Sequence, residues 1–192
     1  TSTTFNSITV DSDTSTNDMV AIFATGKAKN LKIYNVLDPK LQDFEKALHK
    51  LCLNLAKQIV VDGEGAKKFI TINVTGARSV TMAKNVGFSI ANSPLFKTAI
   101  AGEDPNWGRI VMAVGKSGEN IIANKMQIKI GDYLVAEQGK VAKNYDENKI
   151  KEYMKWSSID IKVDLNIGNS EFIVYTCDFT HDYIDINANY RN

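Results

Sequence analysis

Residues 39–63 carry the pattern of a long amphipathic helix. Asp38 can cap the first turn, and proline is favoured at the first helical position because its missing N–H would have no partner there. Large apolar residues then recur at spacings of three and four, namely Leu41, Phe44, Leu48, Leu51, Leu55 and Ile59. This spacing places them on one helical face, and Gly63 ends the helix. The pattern predicts a helix that packs against a globular core.

Three segments have the patterns of strands. Residues 69–75 alternate like a half-buried strand, and residues 159–165 alternate strictly. A turn at residues 168–169 leads from the second of these into the apolar residues 172–177, which predicts a β-hairpin.

Shorter patterns predict the remaining elements. The apolar run 19–25, ended by Gly26, favours a buried strand over a short helix. We also predict strands at residues 110–114 and 127–130 and helices at residues 79–90 and 145–156. This alternation predicts an α/β fold, a layered body of helices on sheets.

The composition excludes several classes of protein. The 192 residues are 44% hydrophobic and 23% charged, which is far from the composition of a disordered chain. The net charge of +1 gives no basic surplus for nucleic acid or an anionic membrane, and no apolar run approaches the roughly 20 residues of a membrane span. Cys52 and Cys177 belong to no Cys-x-x-Cys pair, which favours free thiols and a cytoplasmic protein.

Two loops contain polar side chains that either bind a ligand or only satisfy the backbone. Residues 11–18 lack the glycine and glutamate of a calcium loop, so turns closed by Asp and Ser/Thr side chains are favoured. Gly63 and Gly65 flank Glu64, which leaves this carboxylate unshielded and suited to an ammonium group. The alternative for residues 62–68 is a helix end with solvated charges.

Two further segments have more polar and aromatic residues than a connection needs. Residues 93–109 either shape a site or form a structural loop in which Trp107 is an apolar plug and Arg109 pairs with Glu103 or Asp104. The tail that begins at Cys177 is expected to dock on the body, with three apolar anchors. These are Tyr183, Ile186 and Tyr190.

A zinc site is the weaker interpretation of the cysteines and histidines. A Cys₂His₂ set would need His49, Cys52, Cys177 and His181 to come together. Cys52, however, falls on the apolar side of its helix, where a buried free thiol is common. We therefore predict no metal site.

Five of these motifs occur in an order that resembles the β chain of the ornithine acetyltransferase family, also called glutamate N-acetyltransferase, the bifunctional proteins of arginine biosynthesis. The motifs are residues 9–18, 62–68, 93–99, 102–109 and 177–191. They extend over nearly the whole chain, which makes the resemblance specific.

The resemblance implies an enzyme that cleaves itself before a threonine into α and β chains. That threonine takes the acetyl group from N-acetylornithine and passes it to glutamate, giving N-acetylglutamate and ornithine. Its hydroxyl needs a base, and the oxyanion donors come from the α chain. No cofactor is implied, although some members also use acetyl-CoA as an acetyl donor. The implied partners are the α chain of the same precursor and a second αβ unit, together a heterotetramer.

The resemblance also assigns site residues. Glu64 matches the acidic substrate ligand and Asn187 a second ligand, while Asn192 lies where the family usually has Thr or Ser. The stretch around Thr1 does not match the segment of the nucleophile, which we expect upstream of Thr1. This chain is then most of a β subunit without a catalytic residue, and inactive alone.

The fold implied is a layered α/β sandwich with mixed sheets, like that of N-terminal nucleophile enzymes. Residues 1–66 would belong to a sandwich shared with the α chain, and residues 67–192 would form a C-terminal lobe. An isolated β chain should then expose apolar surface meant for the α chain. Two alternatives remain: an aminopeptidase or amidohydrolase of the same fold, and a non-catalytic module that binds amino acids.

Overall fold

A mixed six-stranded sheet forms the centre of the computed structural model, which describes residues 1–190, with the strand order β4-β3-β2-β5-β1-β6. The strands are β1 Phe69–Ala77, β2 Gln127–Ile130, β3 Tyr133–Glu137, β4 Lys140–Val141, β5 Ser158–Asp164 and β6 Ser170–Cys177. β1 is parallel to β5 and antiparallel to β6, and β2 is antiparallel to β5. The predicted α/β class with a mixed sheet is confirmed.

Six α-helices surround this sheet within the described residues. They are α1 Gln42–Val61, α2 Val80–Ala91, α3 Pro94–Ala101, α4 Trp107–Gly115, α5 Glu147–Met154 and α6 His181–Ala188. Ser79 caps α2 as predicted, since its hydroxyl accepts from the backbone N–H of Met82. Asp38 accepts from the backbone N–H of Lys40 and so caps the 3₁₀ turn Pro39–Leu41 that leads into α1. Among these described helices, none combines the length and the apolarity that crossing a membrane requires.

The core lies between the sheet and the helices α2 and α4. Alternate residues of β1, namely Ile70, Ile72 and Val74, are fully buried, as the period of two in the sequence predicts. Burying each such side chain contributes about 1.5–3 kcal/mol to stability. A smaller cluster on the other face joins Val60 of α1 to Tyr175 and Cys177 of β6.

The predicted hairpin between β5 and β6 is wrong, because β1 lies between these two strands and pairs with both. The connection from β5 to β6 crosses the end of β1. Ile167 donates its N–H to the Gly76 carbonyl at 2.8 Å. A Cβ on Gly168 would lie 2.2 Å from the Ala77 carbonyl oxygen, so the crossing needs a residue without a side chain.

The strand predicted at residues 110–114 is also wrong, because these residues belong to α4. Ile110, Ala113 and Val114 face the core at helical spacing. A five-residue apolar run fits a strand or a buried helix equally well. The segment 93–109 likewise contains α3 and the start of α4 rather than one loop.

The strand predicted at residues 19–25 is wrong, because these residues have no regular secondary structure and do not join the sheet. The helix predicted after Pro39 is present, but only the Ala56 and Val60 side chains of α1 are buried. The large apolar residues on the rest of its surface are exposed, as are those of the 19–37 segment, and Met19 and Val20 line one hollow with Leu55 and Ile59. We name these exposed apolar residues together the uncovered apolar face. Its large side chains are Met19, Val20, Ile22, Phe23, Leu31, Tyr34, Val36, Leu37, Phe44, Leu51, Leu55 and Ile59.

Candidate functional site

Glu64 lies on the short loop between α1 and β1. The last turn of α1 closes on Asp62, and the Ala66 N–H donates to the Gly63 carbonyl at 3.0 Å, which folds the loop into a tight turn. Gly65 has a φ of +68°, a left-handed conformation that favours glycine. The Glu64 side chain is exposed at the tip of this turn.

Asn187 lies in the last turn of α6 and meets Glu64 across 123 residues of sequence. Its side-chain N–H₂ donates to Glu64 Oε2 at 2.6 Å and to the Tyr183 carbonyl at 2.9 Å. Both amide hydrogens are therefore used, and the acceptors left for a ligand are Glu64 Oε1 and Asn187 Oδ1. The two ligands that the sequence predicts thus share one place, whereas Asn192 lies outside the described residues.

Tyr183 anchors α6 to the body of the molecule. Its ring stacks on Phe179 with centroids 4.6 Å apart, and its hydroxyl donates to Asp11 Oδ2 at 3.0 Å. Partial burial and the hydrogen bond to Asp11 raise the pKa of Tyr183 to about 12, so the hydroxyl keeps its proton. The tail docks as predicted, but the other two expected anchors are exposed, Ile186 at 43% and Tyr190 at 80%.

The Glu64 loop and the start of α6 are in direct contact. Thr180 donates its hydroxyl to the Gly65 carbonyl at 2.7 Å. A Cβ on Gly65 would lie 2.5 Å from the Tyr183 nitrogen, which shows how closely the two backbones approach. Lys67 and Asp182 add an ion pair of 2.8 Å, but both are at least half exposed, so the pair contributes little.

The polar loop 9–18 closes as predicted on its own side chains. The N–H of Ser12 donates to Thr9 Oγ1 at 3.3 Å, and that of Asp13 to Asp11 Oδ1 at 2.9 Å. The second oxygen of Asp11 receives the hydroxyl of Tyr183. The loop therefore also supports α6, which the sequence pattern did not indicate.

The pairing predicted for Arg109 is wrong, since its guanidinium donates to the Leu95 carbonyl at 2.6 Å and to the Thr98 hydroxyl at 3.1 Å. Arg109 thus joins α4 to α3, while Glu103 pairs with Lys68 instead, at 3.2 Å. Trp107 is partly buried against the core, as the structural alternative expected.

A cleft of about 790 Å³ opens beside the start of α6. Its walls include Lys67, Lys68, Glu103, Asp182 and Tyr183, whereas Glu64 and Asn187 are not among its lining residues. These four charged side chains form two ion pairs with one another, Lys67 with Asp182 and Lys68 with Glu103. Within residues 1–190, no three His, Cys, Asp or Glu side chains gather to hold a metal ion.

Sequence reasoning missed two buried charged residues behind this site, Lys97 and Asp178. Asp178 lies within a segment that the sequence analysis singled out, but its residue type alone gave no role. A signal for Lys97 was available, because this lysine stands among apolar residues in the short helix α3.

The comparisons with known proteins agree with this fold. The whole chain, residues 1–192, matches the ArgJ family. The arginine biosynthesis bifunctional protein ArgJ of Gluconobacter oxydans is 55% identical over 188 residues, which cover 98% of this chain and 44% of that protein. The protein of the same name from Brucella melitensis is 50% identical over 192 residues, covering 98% of this chain and 46% of its own length.

A solved structure gives the same result for the fold. The crystal structure of the arginine biosynthesis bifunctional protein ArgJ from Bacillus halodurans has a TM-score of 0.92 and 44% identity, covering 97% of this chain and 87% of that chain. The chain spans about half the length of the curated relatives it matches. This chain belongs to the ArgJ family.

Proposed function

We propose that this chain is most of the β chain of an acetyltransferase that moves an acetyl group from N²-acetyl-L-ornithine to L-glutamate in arginine biosynthesis. The observation that carries the proposal is the hydrogen bond between Glu64 and Asn187. These residues occupy the positions at which the resemblance implies substrate ligands, and each keeps one oxygen acceptor for a ligand.

The chemistry of this pair suits an ammonium group. A carboxylate accepts charge-assisted hydrogen bonds, which are stronger than neutral ones. The amide oxygen of Asn187 gives a second acceptor whose position is fixed by the bond to Glu64. Two acceptors at a fixed separation orient the amine, and orientation lowers the entropic part of an activation barrier.

In the proposed reaction the nucleophile is a threonine of the longer protein, outside residues 1–192. Its hydroxyl oxygen attacks the acetyl carbonyl, its proton passes to a base, and ornithine leaves with its amine protonated. The amine of glutamate then attacks the acetyl-threonine ester, which releases N-acetylglutamate and restores the hydroxyl. The chain described here binds and orients substrate, so we expect no turnover from it alone.

We further propose that the uncovered apolar face is where the α chain of the same precursor packs. Each of the twelve large apolar side chains of this face is at least 44% exposed, and a free monomer rarely exposes so many apolar side chains. The relatives are more than twice as long as the matched region, so they contain enough additional chain to cover it. On this proposal residues 1–66 complete a sandwich with the α chain, and two αβ units associate.

The test uses the full-length protein that contains this chain. Intact mass measures cleavage before an upstream threonine, size exclusion shows whether both pieces stay together, and an assay measures acetyl transfer from N-acetylornithine to glutamate. Glu64→Gln keeps the shape but removes the charge, so KM for N-acetylornithine should rise about 10- to 100-fold.

The matched control is Glu171→Gln, the same change at an exposed residue of β6, which should leave KM unchanged. An unchanged KM in Glu64→Gln would contradict the assigned role. Acetate and ornithine released without glutamate would instead indicate an amidohydrolase or aminopeptidase. Amino-acid binding without any turnover would indicate a binding module.

A further inference from the structure

Asp178 lies behind the site with only 2% of its surface exposed. Its Oδ1 accepts the backbone N–H groups of Lys67 at 2.8 Å and Lys68 at 2.9 Å. These two residues end the loop that carries Glu64. Asp178 itself stands three residues before α6, which begins at His181. One carboxylate oxygen therefore ties the Glu64 loop to the start of the helix that carries Asn187.

Lys97 supports the same segment from α3, with 1% of its surface exposed. Its ammonium group donates to the Thr176 hydroxyl at 2.9 Å and to the Cys177 carbonyl, both at the end of β6. It also lies 4.7 Å from the centre of the Phe179 ring. Lys97 thus fixes the backbone on the N-terminal side of Asp178 and the ring on its C-terminal side.

The two buried charges lie near each other without forming an ion pair within 4.0 Å among the described residues. Asp178 Oδ2 has no hydrogen-bond partner among the described residues, and an uncompensated buried charge is strongly destabilising. The ammonium of Lys97 is a buried positive charge near it, and the ammonium of the exposed Lys67 is a second one. Burial lowers the pKa of Lys97, whereas the neighbouring Cys177 and Asp178 raise it.

Two routes lead from this pair to the candidate ligands. Through the N–H groups of Lys67 and Lys68, Asp178 sets the position of the Glu64 loop. Through the Phe179 ring, which stacks on Tyr183, Lys97 sets the turn of α6 whose carbonyl holds Asn187. A change in either charge should therefore alter the separation of Glu64 and Asn187.

We propose that Asp178 and Lys97 are positioning residues that fix the separation of Glu64 and Asn187 and thereby set the affinity for the substrate amine. Each acts through the groups between it and the two ligands, Asp178 through the N–H groups of Lys67 and Lys68 and Lys97 through the Phe179 ring. The proposal rests on the proposed function, because it takes these two residues as the substrate ligands.

The experiment measures KM and kcat for N-acetylornithine in the processed full-length enzyme. Asp178→Asn keeps the shape and the acceptor oxygen but replaces charge-assisted bonds with neutral ones, so KM should rise about five- to tenfold while kcat changes little. Lys97→Met should act in the same direction. Asp132→Asn, the same change at an exposed turn residue, is the control and should leave KM unchanged.

A double-mutant cycle separates positioning from general stability. If Asp178 acts through Glu64, then Asp178→Asn made in the Glu64→Gln background should change KM by less than about twofold. A merely structural residue would lower the amount of active enzyme and its unfolding temperature, without this dependence on Glu64.

The outcomes distinguish the inference from the proposed function. If Glu64→Gln raises KM but Asp178→Asn does not, or if the two effects simply multiply, the positioning role is wrong and the proposed function stands. If Glu64→Gln leaves KM unchanged, the proposed function fails and this inference falls with it. Should Lys97→Met not fold, Asp178→Asn alone decides.

Discussion

Gly65→Ala tests how closely the Glu64 loop and α6 have to approach. The φ of +68° at this position disfavours any residue with a side chain. In addition, the new Cβ would lie 2.5 Å from the Tyr183 nitrogen and 2.9 Å from the Asp182 carbonyl carbon. Both neighbours are backbone atoms of α6, so the strain cannot be relieved by rotating a side chain.

The size of the effect follows from these distances. The left-handed backbone alone costs about 1 kcal/mol for alanine. To reach an ordinary contact, α6 must also move away by roughly 0.5–1 Å, and overpacking of this kind adds about 1–3 kcal/mol. The bond from Asn187 to Glu64 starts at 2.6 Å. The same movement would lengthen it to about 3.1–3.6 Å, at or beyond the limit of a hydrogen bond.

Gly139→Ala is the matched control. Gly139 has a φ of +72°, and a Cβ built there meets nothing within 4 Å. It therefore carries the same backbone cost of about 1 kcal/mol without the clash.

Chemical denaturation and KM for N-acetylornithine should be measured for both variants in the full-length protein. We expect Gly65→Ala to lose about 2–4 kcal/mol of unfolding free energy and to raise KM about tenfold or more, whereas Gly139→Ala should leave KM unchanged. Equal losses of stability and equal KM values in the two variants would refute the reasoning from close packing.

Two more predictions concern the pH dependence and the core. The pKa of Tyr183 is raised from 10.0 to about 12, so the folded state holds the hydroxyl proton more tightly than the unfolded state does. The contribution of Tyr183 to stability is therefore complete below pH 10 and is lost as the pH rises to about 12. Urea unfolding between these pH values should show that the free energy of unfolding falls less steeply with pH in Tyr183→Phe than in the unmodified protein. Equal slopes of unfolding free energy against pH would contradict the role of Tyr183. Ile72→Ala, at a side chain with 0% exposure, should cost about 2–5 kcal/mol of unfolding free energy. Ile173→Ala, in the adjacent strand at 37% exposure, should cost clearly less in the same assay, and equal costs would mean that β1 is not the centre of the core.

The sequence predicted those elements whose pattern comes from a single buried face. Residues 69–75 alternate because β1 presents Ile70, Ile72 and Val74 to the helices, and residues 79–90 have both a cap and helical spacing. The segment 110–114 is too short for the period of a strand to be distinguished from that of a helix. The failure of the hairpin has another cause, since alternation predicts a strand but not its partner. β5 and β6 both pair with β1, which comes much earlier in the chain.

The sequence also predicted the individual site residues but not their contact. The glycines on both sides of Glu64 indicated an exposed carboxylate, and the family resemblance indicated Asn187. Spacing alone could not show that the two meet, because the loop and α6 are brought together by Asp178, Thr180 and Tyr183. Contacts of this kind join residues that are more than 100 positions apart, and local patterns carry no information about them.

The place of β1 between β5 and β6 also has a consequence during synthesis. Phe69 pairs with Ser158 and with Cys177, so β1 leaves the ribosome roughly 90 residues before its first neighbour is made. At about 5–20 residues per second, its backbone N–H and C=O groups wait on the order of 5–20 s without a partner strand. Non-local pairing of this kind also slows folding itself. Nascent chains of this protein should therefore depend on molecular chaperones until β5 and β6 have emerged.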